Sequence, residues 1–209
     1  MLFSRLLSLS AITATLFVIF PASAIGQSVS LIGTELSLSL RNQTTPSSEL
    51  FVSLFPASAI VSETEVEFPD VESLFGGDPV PPEIGAIADV AIDAGADFLE
   101  IDFTNAGFSQ FASAFENTYV FTFDSAIALQ ITDATIDDSV TTLGLTPDRI
   151  NFAGNELFVN VQSLSFSPTT LARINLNATA VPEPTSFASL FVAGIAMLAR
   201  RRRQAINGT

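Results

Sequence analysis

The sequence predicts an all-β domain between residues 25 and 180, built as an antiparallel β-sandwich with jelly-roll-like connections. Apolar and polar residues alternate along many short stretches, as in Leu36 to Leu40, and this period of two is typical of half-buried strands. Turn-forming residues separate the stretches at regular intervals, without a sustained helical period. The chain has 19 phenylalanines and no cysteine, so an apolar core without disulfides must hold the fold together.

In the first half of this domain, the apolar run at residues 50–55 predicts a short buried strand. Farther along, Glu63, Glu65 and Glu67 alternate with Thr64, Val66 and Phe68. This alternation predicts a strand with three carboxylates on one face, a pattern that suits solvent or a protected sheet edge. A loop rich in proline and glycine follows at residues 69–85.

Two hairpins are predicted in the second half. One joins residues 88–93 to 98–103 through a turn at Gly95, and the other joins residues 150–152 to 157–161. Further strands are predicted at residues 119–123, 127–131 and 172–176, for a total of about nine to eleven strands.

Residues 105–117 favour two interpretations. Phe108, Phe111 and Phe115 are spaced three and four apart, which is typical of one face of a short helix. The neighbouring segments alternate as strands do, so the pattern alone leaves the type of this element open.

The N-terminus, residues 1–24, has the pattern of a secretory signal peptide. Arg5 supplies a positive charge ahead of the apolar residues 6–20, and Ala22 and Ala24 are the small residues that precede a cleavage site. We therefore predict a signal helix that signal peptidase removes after Ala24, so that the following domain is exported.

The C-terminal segment, residues 181–203, has three parts. It begins with Val181-Pro182-Glu183-Pro184, whose prolines hold the backbone extended and stop a helix from propagating. Residues 185–199 carry no charge. As a transmembrane helix they would measure about 22 Å, which is short against a hydrocarbon core of about 30 Å. Arg200-Arg201-Arg202-Arg203 then form a cytoplasmic stop, and residues 204–209 are a short polar tail.

This order of motifs resembles the PEP-CTERM sorting signal of bacterial surface and exopolysaccharide-associated proteins. The Pro-Glu-Pro motif, the apolar span and the arginines all match, although residues 204–209 extend beyond the usual end. The resemblance implies recognition by an exosortase, a membrane processing enzyme. It also implies a precursor in the cytoplasmic membrane with its body outside, and a mature form at the cell surface or in the extracellular matrix. The implied function is non-enzymatic and associated with exopolysaccharide.

Composition excludes several kinds of chemistry. The chain has no histidine, cysteine or lysine, which removes Ser-His-Asp triads, thiol nucleophiles and Schiff-base lysines. Residues 25–180 contain three arginines and 21 acidic residues, a net charge of −18. Such a domain repels nucleic acid and anionic membrane surfaces, so no nucleic-acid partner is expected. Solubility is the simplest role for this charge, and attraction of divalent cations is the alternative.

The remaining candidates for a site are carboxylates, which fall into two clusters. The first contains Asp93, Asp97, Glu100 and Asp102, and the second contains Asp133, Asp137 and Asp138. Calcium takes oxygen ligands of this type, but neither cluster has EF-hand spacing, so no cofactor is predicted and calcium is kept as the alternative. Two other functions stay open: a carbohydrate- or calcium-binding, lectin-like module on the same anchor, and a glycoside hydrolase that uses two carboxylates.

Overall fold

The computed structural model describes residues 27–75 and 87–181. Within these ranges the chain is all-β, as predicted, and its only helical elements are the short 3-10 helices Glu72–Phe75 and Pro147–Arg149. No helix in these ranges is long and apolar enough to cross a membrane. The predicted signal peptide with Ala22 and Ala24 lies outside the described residues, as do the sorting segment from Pro182 onward and its arginines.

The described residues form eleven strands, all of them in antiparallel pairs. Their bounds are β1 Glu35–Gln43, β2 Phe51–Ile60, β3 Ala91–Ala94, β4 Phe98–Asp102, β5 Ser109–Gln110, β6 Glu116–Asp124, β7 Leu129–Ile136, β8 Ile150–Ala153, β9 Glu156–Asn160, β10 Ser165–Phe166 and β11 Leu171–Ala180. Sheet I has the order β2-β1-β6-β9-β8, and sheet II has the order β3-β4-β11-β7. The short strands β5 and β10 pair with each other.

The two larger sheets share one apolar core, a sandwich-like arrangement. Alternation along each strand sends one set of side chains into this core and the other set outward. Fully buried members from sheet I include Leu36, Phe121, Phe123 and Leu157, and those from sheet II include Ile92, Leu99, Ile101 and Ile174. The chain crosses between the sheets after β2, β6, β7 and β9, so both sheets depend on the same core.

Both predicted hairpins are present, and each turn needs its glycine. Strands β3 and β4 meet at Gly95, where any added Cβ would overlap the ring of Phe98. Strands β8 and β9 meet at Gly154, whose φ of +61° favours a residue without a side chain. Glycine therefore suits the backbone at both turns.

Residues 105–117 contain a strand, β5, and no helix. The N–H of Phe111 donates to the carbonyl of Leu164 at 2.9 Å, which extends the pairing of β5 with β10. The Phe111 ring packs against Phe103 and Phe166 at centroid distances of 6.1 and 4.8 Å. By contrast, Phe108 and Phe115 are 88% and 53% exposed, so these three phenylalanines do not form one buried face.

The strand predicted at Glu63, Glu65 and Glu67 is wrong, because the chain turns there. The Ser62 hydroxyl accepts the N–H of Glu65 at 3.0 Å, which closes a local turn. The Glu67 carboxylate faces inward and accepts the N–H groups of Ser62 and Ala94 at 2.9 and 2.7 Å. It therefore fastens this turn to the end of β3.

Replacing Phe121 with alanine should lower the free energy of unfolding by about 3–5 kcal/mol, because its ring is fully buried between the sheets. Phe108→Ala is the matched control, since that side chain is 88% exposed. Its loss should change the free energy by less than about 0.5 kcal/mol. Urea denaturation of residues 25–181 measures both variants, and equal losses would contradict the core position of Phe121.

Candidate functional site

The first carboxylate cluster lies on the outer face of sheet II. Asp93 on β3 pairs directly with Glu100 on β4, and Glu100 pairs with Arg173 on β11. The Arg173 guanidinium lies 3.5 Å from the Glu100 carboxylate, and its Cζ lies 3.7 Å from the centroid of the Phe98 ring. One arginine is therefore held between an aromatic ring and a row of acids.

The electrostatics of this face follow from its excess of negative charge. Partial burial, above all, raises the pKa of Glu100, and the charges of Asp93 and Asp102 raise it further, while Arg173 acts in the opposite direction. Arg173 also lowers the pKa of Asp137, although the hydrogen bonds from Ser139 are the larger cause. A single arginine thus offsets the repulsion among several carboxylates.

The calcium candidates do not converge on one point. Asp93, Glu100 and Asp102 share the face described above, and Asp97 lies in the β3–β4 turn, where its carbonyl accepts the N–H of Leu176. Asp133 lies on β7 at the other edge of the sheet, and Asp137 and Asp138 lie in the turn that follows it. The part of the chain that the structure describes contains no group of three or more acidic side chains placed to hold a metal ion. Calcium binding stays a prediction.

A cavity of about 690 Å³ opens where β5 and β10 meet the sheets. The rings of Phe111, Tyr119 and Phe166 line its inner side, and Glu72 and Asp89 line its rim. The Oδ1 atom of Asp89 is buried, and no donor group of the described residues bonds to it. The carboxyl of Asp70 lies close enough to interact with it, and the two carboxyls can form a hydrogen bond only while one of them holds a proton.

The surroundings of Asp89 raise the pKa of its carboxyl. Burial, above all, raises its pKa to about 6, and the hydrogen bond with Asp70 and the charges of Asp70 and Glu72 contribute. Glycoside hydrolases place their two carboxyls on either side of a sugar bond, about 5 Å or more apart. The geometry of Asp70 and Asp89 differs, because these carboxyls contact each other.

A second concavity, which we call the arginine groove, lies on the outer face of sheet I and has a volume of about 360 Å³. Its lining consists of Arg41, Phe115, Glu116, Thr118, Asp148, Arg149, Asn151, Phe158 and Asn160. The floor is a cross-strand row in which Arg41 of β1 pairs with Thr118 of β6, and Thr118 pairs with Asn160 of β9. The 3-10 helix Pro147–Arg149 forms one wall.

Both arginines of this groove are held in place by neighbouring groups. The Nε of Arg41 lies 2.9 Å from the Glu116 carboxylate, and its Cζ lies 5.7 Å from the Phe158 ring centroid. By distance, the Arg41–Glu116 contact is an ion pair. It does not meet the geometry of a hydrogen bond, and the Nε of Arg41 has no hydrogen-bond partner among the described residues. Arg149 donates to the carbonyls of Asn160 and Gln162 at 3.3 and 2.9 Å.

Sequence reasoning missed the arginine groove and the Asp70–Asp89 pair. The one available signal was that Arg41 and Arg149 are two of the three arginines in residues 25–180. No known protein-family model, curated protein or solved structure matches this chain.

Asp89→Asn should raise the melting temperature at pH 7 more than at pH 4, because an amide donates to Asp70 without a titratable proton. The pKa of Asp89 is about 6 in the folded domain against an ordinary value of 3.8, so the folded state binds more protons in that interval. The stability from this pair is therefore present below about pH 4 and is lost as the pH rises through about 6. Thermal melts between these pH values measure it. The control is Asp138→Asn, which removes an exposed charge, and an identical pH profile for both variants would contradict the assignment.

Proposed function

We propose that this chain is an exported bacterial surface or extracellular-matrix protein without enzymatic activity, and that its β-domain is displayed once the precursor has been processed. The observation that supports the proposal is where the two ends of the domain lie. Ser28 forms a bridge with Thr179, and the N–H of Val29 donates to the carbonyl of Ala178 at 2.9 Å. The chain therefore enters the domain beside β11, the strand from which it leaves.

Hydrogen bonds of the described residues also reach residues close to both predicted cleavage positions. The N–H of Val181 donates to the carbonyl of Ala128 at 2.8 Å, one residue before Pro182. At the other end, the N–H of Ala180 donates to the carbonyl of Gln27 at 3.4 Å, and Gln27 lies three residues after the predicted signal cleavage at Ala24. Cleavage after Ala24 and cleavage beyond the Pro-Glu-Pro motif would each leave these hydrogen bonds intact.

In this proposal the domain at residues 25–180 is a jelly-roll-like sandwich between a signal helix at residues 1–24 and a transmembrane helix at residues 185–199. Signal peptidase and an exosortase-type enzyme are its processing partners, and the membrane holds the precursor. Exopolysaccharide is the proposed partner of the mature protein. The net charge of −18 on residues 25–180 disfavours nucleic acid as a partner.

Changing Pro182 and Pro184 to alanine should leave an uncut, membrane-bound precursor, because the apolar helix could then extend through the site that must stay accessible. Changing Arg200 to Arg203 to serine should weaken retention and missort the precursor. Intact-mass measurement of protein from the native host reads out both variants. Pro46→Ala, in an exposed loop, is the matched control and should be processed normally.

A mature protein that keeps Phe187 to Arg203 and stays in the inner membrane would contradict sorting by cleavage. Only a permanent membrane anchor would then account for the tail.

Sodium chloride should raise the melting temperature of residues 25–181, because ions screen the repulsion among 21 acidic residues. Calcium chloride at matched ionic strength separates this effect from a specific site, which would add stability by mass action. If calcium chloride raises the melting temperature more than sodium chloride does, and Asp93→Asn abolishes this difference, the calcium-binding alternative is favoured. A melting temperature that neither salt changes would contradict the role assigned to the charge.

A further inference from the structure

We infer that the arginine groove binds a neutral saccharide segment. This inference deepens the exported, matrix-associated role proposed above and rests on that role for its biological setting. The groove volume of about 360 Å³ lies at the lower end of the range for small-ligand sites, which is about 300–1,000 Å³. It therefore suits one or two sugar units of a longer chain rather than a large ligand.

The lining favours a ligand with many hydroxyl groups. All lining residues except Phe115 and Phe158 carry a charged, amide or hydroxyl group. Amides and carboxylates offer paired donor and acceptor positions, and neighbouring sugar hydroxyls match such pairs. The Oδ1 of Asn160 accepts the N–H of Gln162 at 3.0 Å, which fixes the side chain and leaves its amide nitrogen to donate. A wholly apolar ligand would leave these groups without partners, at a cost in affinity.

The charges of the groove favour a neutral saccharide over an acidic one. Arg41 and Arg149 are balanced by Glu116 and Asp148, so the lining has no net charge. Arg41 is already engaged by Glu116 at 2.9 Å. The surrounding domain has a net charge of −18, which repels an anionic polymer before it reaches the groove.

Phe115 provides the apolar contact that such a ligand needs. Its side chain is 53% exposed at the groove although it is large and apolar. The C–H face of a sugar ring is apolar and can cover an aromatic ring while its hydroxyl groups reach the polar lining. Asn151, which is exposed and pairs with Phe158 across β8 and β9, lines the same groove.

Calorimetric titration of the full chain tests the inference, in a detergent whose headgroup is not a sugar. The probes are neutral hexasaccharides of glucose, mannose and galactose, with hexagalacturonate as the acidic counterpart. At least one neutral probe should bind at millimolar concentration or below, and hexagalacturonate should bind at least about tenfold more weakly, because its charges meet those of the domain. Absence of binding by all three neutral probes at about ten millimolar, or a preference for hexagalacturonate, would overturn the inference.

Matched variants locate the binding. Phe115→Ala and Asn151→Ala should each weaken it about tenfold, which corresponds to the loss of one aromatic contact or hydrogen bond. Phe108→Ala and Asn175→Ala remove the same exposed side-chain types elsewhere and should change it less than about twofold. Equal losses in both sets would place the binding outside the groove and reject the inference.

Processing of the Phe115→Ala chain in the native host separates this inference from the proposed function. Normal export and tail cleavage, together with weakened saccharide binding, supports both. A wild-type chain that is not sorted but binds the neutral probe in the groove would overturn the proposed function alone. A sorted chain without binding would overturn only the saccharide inference.

Discussion

The domain depends on burying one apolar core while most carboxylates of the described residues stay outside that core. With 21 acidic residues against three arginines in residues 25–180 and no disulfides, burial of apolar surface must outweigh both chain entropy and self-repulsion. The strand period makes this separation feasible, because each strand sends alternate residues to opposite faces. In β4, for example, Leu99 and Ile101 enter the core while Glu100 and Asp102 stay on the outer face.

The edge of sheet I shows a second constraint on this acidic domain. Strand β2 is an edge strand that exposes Val52, Leu54 and Ile60, the kind of surface on which another strand could pair. Pro56 lies in the middle of β2, within the segment where its pairing with β1 shifts register between Ser37 and Ser39. Proline has no N–H to donate, so it interrupts the free edge. Together with the net negative charge, this interruption disfavours edge-to-edge association.

Local patterns predicted the strands and hairpins because they depend on neighbours in the sequence. The β3–β4 hairpin could be predicted from alternation around Gly95. The spacing of the phenylalanines in residues 105–117 left that element open, because tertiary pairing decides its structure, as at Phe111. Glu67 was misassigned because its partner Ala94 is 27 residues away. Asp89 and the arginine groove could not be predicted for the same reason. Their geometry depends on which strands become neighbours in the sheets, and the sequence pattern does not specify that order. The sorting segment was predicted from its motifs alone and stays a prediction.

The position of strand β11 determines how the domain would resist a pull on the C-terminal end of the described chain. This strand is internal to sheet II, paired with β4 on one side and β7 on the other, and the chain leaves it directly for the tail. A pull on the tail acts along the axis of β11, while the ladder hydrogen bonds lie across that axis. Both ladders therefore share the load in shear, and their hydrogen bonds do not open one pair at a time.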